Sequence, residues 1–444
     1  MKICIIGTGY VGLVTGVCFA DLGHSVICVD KDTHKIHNLK EGIPPFYEPG
    51  LKEIILKNME AERITFTSNI KQAIEESNII FIAVDTPALL DGAADISKVM
   101  AVADTIAQQK ANQLKTQSHF FVVVNKSTVP VGTGELVKEM FFQKGLTDDN
   151  FAVLANPEFL REGSAISDSM KPDRIIIGSY SEKAIEMVEA LYKPLFRIDL
   201  PIIRTNLETA ELIKYAANSF LALKITFINE MANICDAIGA DVHQIAKGIG
   251  SDGRIGRYFL HPGPGYGGAC FPKDTRALVK IAEKANCETK IVKACIEANE
   301  AQKKVMIHKI LNYYQGFIEK KTFAILGLSF KANTDDVRES PAINVINDLL
   351  KHNAIVQVFD PVAINNVKKI FGDRIKYKEN IFDTLLNADA LIILTEWNDF
   401  RYIEISKIKE LLIAPVIFDA RNLYDPKQLK DNGFVYFSIG RDNC

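Results

Sequence analysis

Cys270 sits in the run Pro262-Gly263-Pro264-Gly265-Tyr266-Gly267-Gly268-Ala269-Cys270-Phe271-Pro272-Lys273-Asp274. The small residues ahead of the thiol leave room for a substrate, and Pro272 suits the first turn of a helix that begins just after it. A thiol at a helix N-terminus beside Lys273 feels a positive potential, which favours the nucleophilic thiolate. The other cysteines carry no such signature: Cys4 lies in an apolar run, Cys18 and Cys235 in helical periodicity, so they read as small packing residues. On local chemistry alone a glycine-rich hairpin with an incidental cysteine is the alternative.

A second constellation opens the chain. The apolar run Ile3 to Ile6 leads into Gly7-Thr8-Gly9-Tyr10-Val11-Gly12. A helical stretch from Leu13 to Leu22 follows, then a strand from Ser25 to Val29 that ends at Asp30. In this order the glycines have separate tasks: Gly7 for a tight turn, Gly9 for close approach of a pyrophosphate, Gly12 for packing of helix on strand. Phosphate then meets the unpaired amides of a helix N-terminus. An acid at the end of the second strand accepts from both ribose hydroxyls and repels a 2′-phosphate, so Asp30 predicts NAD over NADP. A plain structural turn and a flavin site are the alternatives on this motif. A nicotinamide site together with a nucleophilic thiol suggests oxidation through an aldehyde to an acid, because an aldehyde yields no hydride until something adds to its carbonyl. A cysteine supplies that addition and becomes a thioester, which water hydrolyses.

These residues must be held by a large frame. With 444 residues the chain exceeds one ordinary core. From Lys2 to about Thr205 short apolar runs alternate with helical periodicity: Ile3 to Ile6, Val26 to Val29, Ile79 to Val84, Phe120 to Val124, Ala152 to Leu154 and Ile175 to Ile177. That pattern predicts an α/β domain on a largely parallel sheet. Leu207 to Ile238 then runs without glycine or proline and predicts one long helix. Further helices are expected over Val242 to Ile249, Thr275 to Lys284 and Lys290 to Leu311, around the glycine- and proline-dense loop Gly250 to Pro272. Strand-helix alternation resumes with Phe323 to Leu326, Ile355 to Phe359, Leu391 to Leu394 and Val416 to Phe418. The expected architecture is an N-terminal Rossmann domain (1–205) and a C-terminal Rossmann-like α/β domain (313–444). A long central helix and a helical middle domain (206–312) join them.

A net charge of −3 with interspersed acids and bases offers no footprint for nucleic acid or anionic lipid, which leaves a small-molecule partner. The N-terminal apolar run is too short for a signal sequence, and no stretch approaches a membrane span. Eight scattered cysteines, without a C-x-x-C pair or a zinc-spaced cluster, indicate neither a disulfide framework nor a metal, and a cytoplasmic chain with reduced thiols is expected.

From Met1 nearly to the C-terminus the chain resembles the UDP-glucose dehydrogenase family, within the nucleotide-sugar 6-dehydrogenases. The blocks that carry the resemblance are Lys126-Ser127-Thr128-Val129-Pro130-Val131-Gly132, Asn156-Pro157-Glu158-Phe159-Leu160-Arg161-Glu162-Gly163, and Lys214-Tyr215-Ala216-Ala217-Asn218. The Cys270 segment, Gly327-Leu328-Ser329-Phe330-Lys331, Asp336-Val337-Arg338-Glu339-Ser340-Pro341 and Asp419-Ala420-Arg421-Asn422 complete the set. The resemblance implies double oxidation of C6 of UDP-glucose with two NAD⁺, giving UDP-glucuronate, by a homodimer built on the helical middle. It implies Cys270 as nucleophile, and Lys214 and Asn218, on one helix face, as holders of the C6 oxygen. Asp274 or Glu158 would drive thioester hydrolysis, with Thr128 holding the water. It places Val11, Asp30, Lys35, Thr86, Thr128, Glu162, Lys273 and Arg338 on the cofactor side with the three glycines. The substrate side takes Glu158, Phe159, Leu160, Arg161, Glu162, Lys214, Asn218, Phe259, Leu260, His261, Pro262, Gly263, Gly267 and Lys331. Arg254 would reach a neighbouring subunit's site, and Arg421 would meet the nucleotide phosphates.

Each of these residues has a bland rival, a solvated helix face for Lys214 and Asn218 or first-turn acids for Glu158 and Glu162. The sequence also departs from the family's pattern. Asp85 stands where a small residue is common, Ala88 to Asp95 lacks the usual basic residues, and Ala332 replaces a frequent proline. Related functions in view are 6-dehydrogenases of GDP-mannose or a UDP-N-acetylhexosamine. More distant ones are a non-catalytic nucleotide-sugar sensor, which has no use for a nucleophile, and a two-electron 3-hydroxy-acid dehydrogenase, which needs neither Cys270 nor a C-terminal α/β domain.

Overall fold

The computed structural model describes residues 1–115, 119–198 and 200–441. They form two compact units, Met1–Ala217 with Lys280–Asn286, and Asn218–Val279 with the residues from Cys287 onward.

The first unit is built on eight strands: β1 (Lys2–Ile6), β2 (Ser25–Val29), β3 (Ile64–Thr67), β4 (Ile79–Ile82), β5 (Phe121–Asn125), β6 (Phe151–Ala155), β7 (Ile175–Gly178) and β8 (Ile202–Thr205). Their order across the sheet is β3-β2-β1-β4-β5-β6-β7-β8, parallel except where β6 meets β7. Successive side chains on a strand face opposite ways, so both faces of a parallel sheet must be covered. Ile3 and Ile5 accordingly join one apolar cluster with Leu13 and Val17, while Cys4 and Ile6 join another with Val99, Ile106 and Val137.

The second unit repeats the design with β9 (Thr322–Leu326), β10 (Ile355–Phe359), β11 (Lys376–Tyr377), β12 (Ala390–Ile393), β13 (Val416–Asp419) and β14 (Val435–Phe437), ordered β11-β10-β9-β12-β13-β14. Counted from its own first strand this is 3-2-1-4-5-6, the doubly wound order, which the first six strands of the first unit also follow. Phe323 and Ile325 face one cluster and Ala324 and Leu326 the other.

The central helix spans Leu207–Ile238 as the uninterrupted periodicity predicts. Asn206 caps it by accepting the Thr209 N–H at 2.9 Å, and Gly239, at φ 75°, ends it. The predicted strands are all present. Four more, β3, β8, β11 and β14, were not foreseen, and each is only two to four residues long. The single helix expected from Lys290 to Leu311 is instead two, Lys290–Gln302 and Val305–Tyr313. At the break the Lys304 N–H bonds back to Ala301 O, three residues away rather than four, which tightens the turn and divides the helix. Among the described residues no helix is long and apolar enough to cross a membrane.

Candidate active site

In the first unit β1 ends at Gly7, whose φ of 105° turns the chain sharply beneath Ala83, and the helix Tyr10–Asp21 starts after Gly9. A Cβ on Gly12 would stand 1.9 Å from Gly7 O, so only glycine lets this helix close on its strand. A Cβ on Gly9 would meet only Asp85 Oδ1 at 3.5 Å, which leaves the space in front of the helix N-terminus open to a pyrophosphate. Val11 lies in the first turn. At the tip of β2, Asp30 accepts from Thr8 N–H (3.1 Å), the Thr8 hydroxyl (2.7 Å) and Lys35 Nζ (2.8 Å). Partial burial opposes ionisation of Asp30, but Lys35 and the Asp32 and Thr8 donors outweigh it and hold the carboxyl at about 2. An ionised acid beside the glycine turn fits a ribose diol. Thr86 donates to the Thr128 carbonyl at 2.8 Å and so ties the loops after β4 and β5 together.

The loop after β6 carries Glu158, which is buried. Lys214, from the second turn of the central helix, donates to Glu158 Oε1 at 2.9 Å and to the Glu158 carbonyl at 2.7 Å. Burial would raise the Glu158 carboxyl. Lys214, the Leu160 N–H and the charge of Lys126 overcome it and hold the group below the usual carboxylate range. Burial pushes Lys126 down to about 8, and its Nζ donates to Asn156 Oδ1 at 3.0 Å. Lys126, Asn156, Glu158, Phe159, Arg174 and Tyr192 line a cavity in this unit. The Lys214 ammonium stands 5.3 Å from the Phe159 ring, and Arg161 makes a forked pair with Asp168. Glu162 precedes Gly163, whose N–H donates to Glu48 at 2.6 Å, and Tyr10 also donates to Glu48.

In the second unit Cys270 stands directly before the helix Phe271–Lys284, with Pro272 in its first turn as the sequence predicts. Cys270 is half-buried, and its carbonyl accepts the Asp274 N–H at 2.8 Å. Asp274 is 1% exposed, its Oδ2 accepting from Asn218 at 2.6 Å and its Oδ1 from Lys273 at 2.5 Å. The Lys273 charge is thus shared with Asp274 rather than directed at the thiol alone.

Other predicted residues of this unit frame the loop. Phe259 holds φ 64°, Leu260 is buried, and His261 and Pro262 lead to Gly263, near which Arg421 lies. Arg421 is fixed by Phe330 O at 2.6 Å, Leu394 O at 2.9 Å and Glu396 at 3.1 Å. A Cβ on Gly267 would stand 2.4 Å from Glu339 O. Lys331 Nζ lies 5.4 Å from the Phe330 ring. Arg338 forks onto Asp336, and Arg254, 89% exposed, onto Asp252.

Three family models match the chain in order: the NAD binding domain of the UDP-glucose/GDP-mannose dehydrogenase family over residues 1–196, its central domain over 208–301 and its UDP binding domain over 324–426. The chain belongs to the UDP-glucose/GDP-mannose dehydrogenase family. A relative in Bacillus subtilis, UDP-glucose 6-dehydrogenase TuaD, is 47% identical over 99% of this chain and 93% of its own length. A UDP-glucose 6-dehydrogenase of Rhizobium meliloti is 46% identical over 99% and 100%. The solved structure of a UDP-glucose dehydrogenase from Pyrobaculum islandicum superposes with a TM-score of 0.90 at 36% identity, covering 99% of this chain and 98% of that one.

The glycine turn and Asp30 both fall within the matched NAD binding domain. Three buried ionisable side chains hold the loops of the first unit, and the sequence pattern does not reveal them. Lys126 belongs to the motif Lys126 to Gly132, but its partner Asn156 lies 30 residues away. Glu48 ties Tyr10 to Gly163 and Ala165, residues far apart in sequence. Glu211, one turn before Lys214, accepts the Gly132 and Gly134 N–H groups at 2.7 and 2.8 Å, and nothing in a helical pattern distinguishes it from a solvated acid.

Proposed function

We propose that the chain is a UDP-glucose 6-dehydrogenase that converts UDP-glucose, two NAD⁺ and water to UDP-glucuronate and two NADH. The observation that carries the chemistry is the half-buried Cys270 thiol at a helix start, with Asp274 one turn on in a hydrogen-bonded pocket. Gly7, Gly9, Gly12, Val11, Asp30, Lys35, Thr86, Thr128 and Glu162, with Lys273 and Arg338, would hold NAD⁺, which supplies the acceptor for the two hydride equivalents.

Lys214 and Asn218 lie four residues apart on the central helix and would bind the C6 oxygen, offering N–H donors to the charge that develops on it. Once C6 is an aldehyde, the Cys270 sulfur adds to it and Lys214 and Asn218 hold the oxyanion of the thiohemiacetal. After oxidation C6 is a thioester on Cys270. Asp274 or Glu158 takes a proton from water, with Thr128 orienting it, and attack on C6 releases the carboxylate and returns the thiol. The UDP moiety would lie against Phe159 to Glu162, the Phe259 to Gly263 segment, Gly267, Lys331 and Arg421.

The central helix supports a homodimer. Phe220, Phe227 and Ile234, seven residues apart, are 62%, 44% and 49% exposed, and Ile238 follows at 71%. Such an apolar stripe on one helix calls for a second copy. Arg254 would serve the neighbouring subunit's site. The three-part division at 1–205, 206–312 and 313–444 assigns NAD, dimerisation and the sugar nucleotide respectively, and the proposed compartment is the cytoplasm, where thiols stay reduced.

A panel of UDP-glucose, GDP-mannose and UDP-N-acetylhexosamines, read as kcat/KM, tests the sugar. UDP-glucose is expected to exceed the others at least tenfold, and a larger value for any other sugar nucleotide removes the assignment.

A further inference from the structure

We propose that Asn299, with Asn229 and Gln302, is a positioning residue for Cys270: side-chain amides stand in for a neighbouring strand, which the Gly263 to Gly268 segment lacks among the described residues. The proposal rests on the reading of Cys270 as nucleophile and extends it.

Asn299 treats Tyr266 as a β partner would. Its Oδ1 accepts the Tyr266 N–H at 2.8 Å and its Nδ2 donates to the Tyr266 carbonyl at 3.1 Å. Gly263 is held in the same way by two residues, its N–H donating to Asn229 Oδ1 at 2.8 Å and its carbonyl accepting from Gln302 Nε2 at 2.9 Å. Asn233 donates to Gln302 Oε1 at 2.9 Å, which fixes that amide's orientation. Asn229, Asn299 and Gln302 are 2%, 1% and 3% exposed. Solvent scarcely reaches these amides, and buried backbone groups left unpaired are costly.

The fit is close. A Cβ on Gly265, at φ 99°, would stand 2.9 Å from Asn299 Oδ1, so the loop backbone lies directly on the amide. Glycines give this segment many alternative conformations, and hydrogen bonds to the central helix and to the helix Lys290–Gln302 select one. The register passes to the thiol through Tyr266, whose ring meets Phe271 edge-on at 6.0 Å, and through Gly268, whose N–H donates to Arg338 O at 2.9 Å. A nucleophile displaced by an ångström loses on the order of a hundredfold in rate.

Asn299→Asp in the full-length enzyme separates positioning from bulk packing. An ionised aspartate accepts the Tyr266 N–H but cannot donate to its carbonyl, whereas a protonated one restores one donor and one acceptor. Two readouts apply from pH 8 to pH 5.5: turnover, and iodoacetamide alkylation of Cys270 located by peptide mass. Both are expected about tenfold or more below wild type at pH 8, a change of about one hydrogen bond. The ratio to wild type is expected to recover as pH falls. Asn299→Leu is expected to stay low at every pH. A variant-to-wild-type ratio that does not change with pH, or wild-type alkylation at pH 8, overturns the proposal. Should Asn299→Asp not fold, Gln302→Glu poses the same question at the Gly263 carbonyl with the same expected recovery and the same overturning result. Cys270→Ser distinguishes the two claims. If it keeps full turnover the nucleophile assignment fails, while an inactive Cys270→Ser beside an Asn299→Asp of wild-type behaviour defeats the positioning role alone.

Discussion

Lys214 Nζ lies 2.9 Å from Glu158 Oε1, and both side chains are 4% exposed. A buried pair of this kind is held by mutual compensation, and removing one member leaves the other charged without its partner. Lys214→Ala is therefore expected to lower unfolding free energy by about 3–5 kcal/mol in a urea titration and to reduce turnover severely. Because Glu158 titrates below the ordinary carboxylate range in the folded protein, the pair's contribution is fully present at neutral pH. It should be lost as pH falls below the unfolded value of about 4.5 and through the folded one. Glu158→Gln should flatten that acid limb, and an unchanged limb would mean that the pair contributes nothing.

Asp30 concerns cofactor choice. With Thr8 and Lys35 holding it ionised at the tip of β2, it should repel a 2′-phosphate. Asp30→Ser is expected to weaken NAD⁺ at least tenfold and to narrow the preference over NADP⁺ by on the order of a hundredfold, read as the ratio of kcat/KM values. An unchanged ratio would place the ribose elsewhere.

Glu211 gives the opposite pH behaviour to Glu158. Burial pushes it up to about 7 despite the Gly132 and Gly134 N–H groups, and Glu208 and Glu135 add to the rise. A carboxyl raised above its unfolded value stabilises most when protonated, so this contribution is lost as pH rises through about 7. Thermal unfolding of wild type should lose stability between pH 5.5 and pH 8 relative to Glu211→Gln, by at most roughly 3 kcal/mol. Parallel curves for the two proteins would show that Glu211 does not titrate there.

The exposed stripe on the central helix bears on assembly. Phe220→Glu with Phe227→Glu is expected to convert a dimer to monomers in sedimentation velocity without a change in far-ultraviolet circular dichroism, since neither side chain is buried within the chain. A dimer that survives both charges would place the interface on another surface.

Much of this was legible in the sequence, and the reasons differ by element. β1, β2, β4 and β5 are runs of buried branched residues between turns, which parallel strands require. β11 and β14 are two and three residues long and carry too little pattern to see. β8, half-exposed, lacks the continuous apolar run of a central strand. The glycine turn, Asp30 and the position of Cys270 at a helix start could be read because each depends on near neighbours. The pairings Lys214–Glu158 and Asn218–Asp274 each join residues 56 apart, and a polar residue on a helix looks the same whether it meets solvent or a buried acid. The amides of Asn299 and Gln302 were invisible for the same reason, since their partners are backbone atoms of a distant loop.

The central claim is that one substrate molecule gives up two hydride equivalents by way of a thioester on Cys270. The most direct test is NADH formed per molecule of UDP-glucose consumed, for wild type and Cys270→Ser side by side. A ratio of two for wild type, with turnover nearly lost or the sugar trapped covalently at position 270 in the variant, is the predicted result. A ratio of one, or a variant that still yields two, would contradict it.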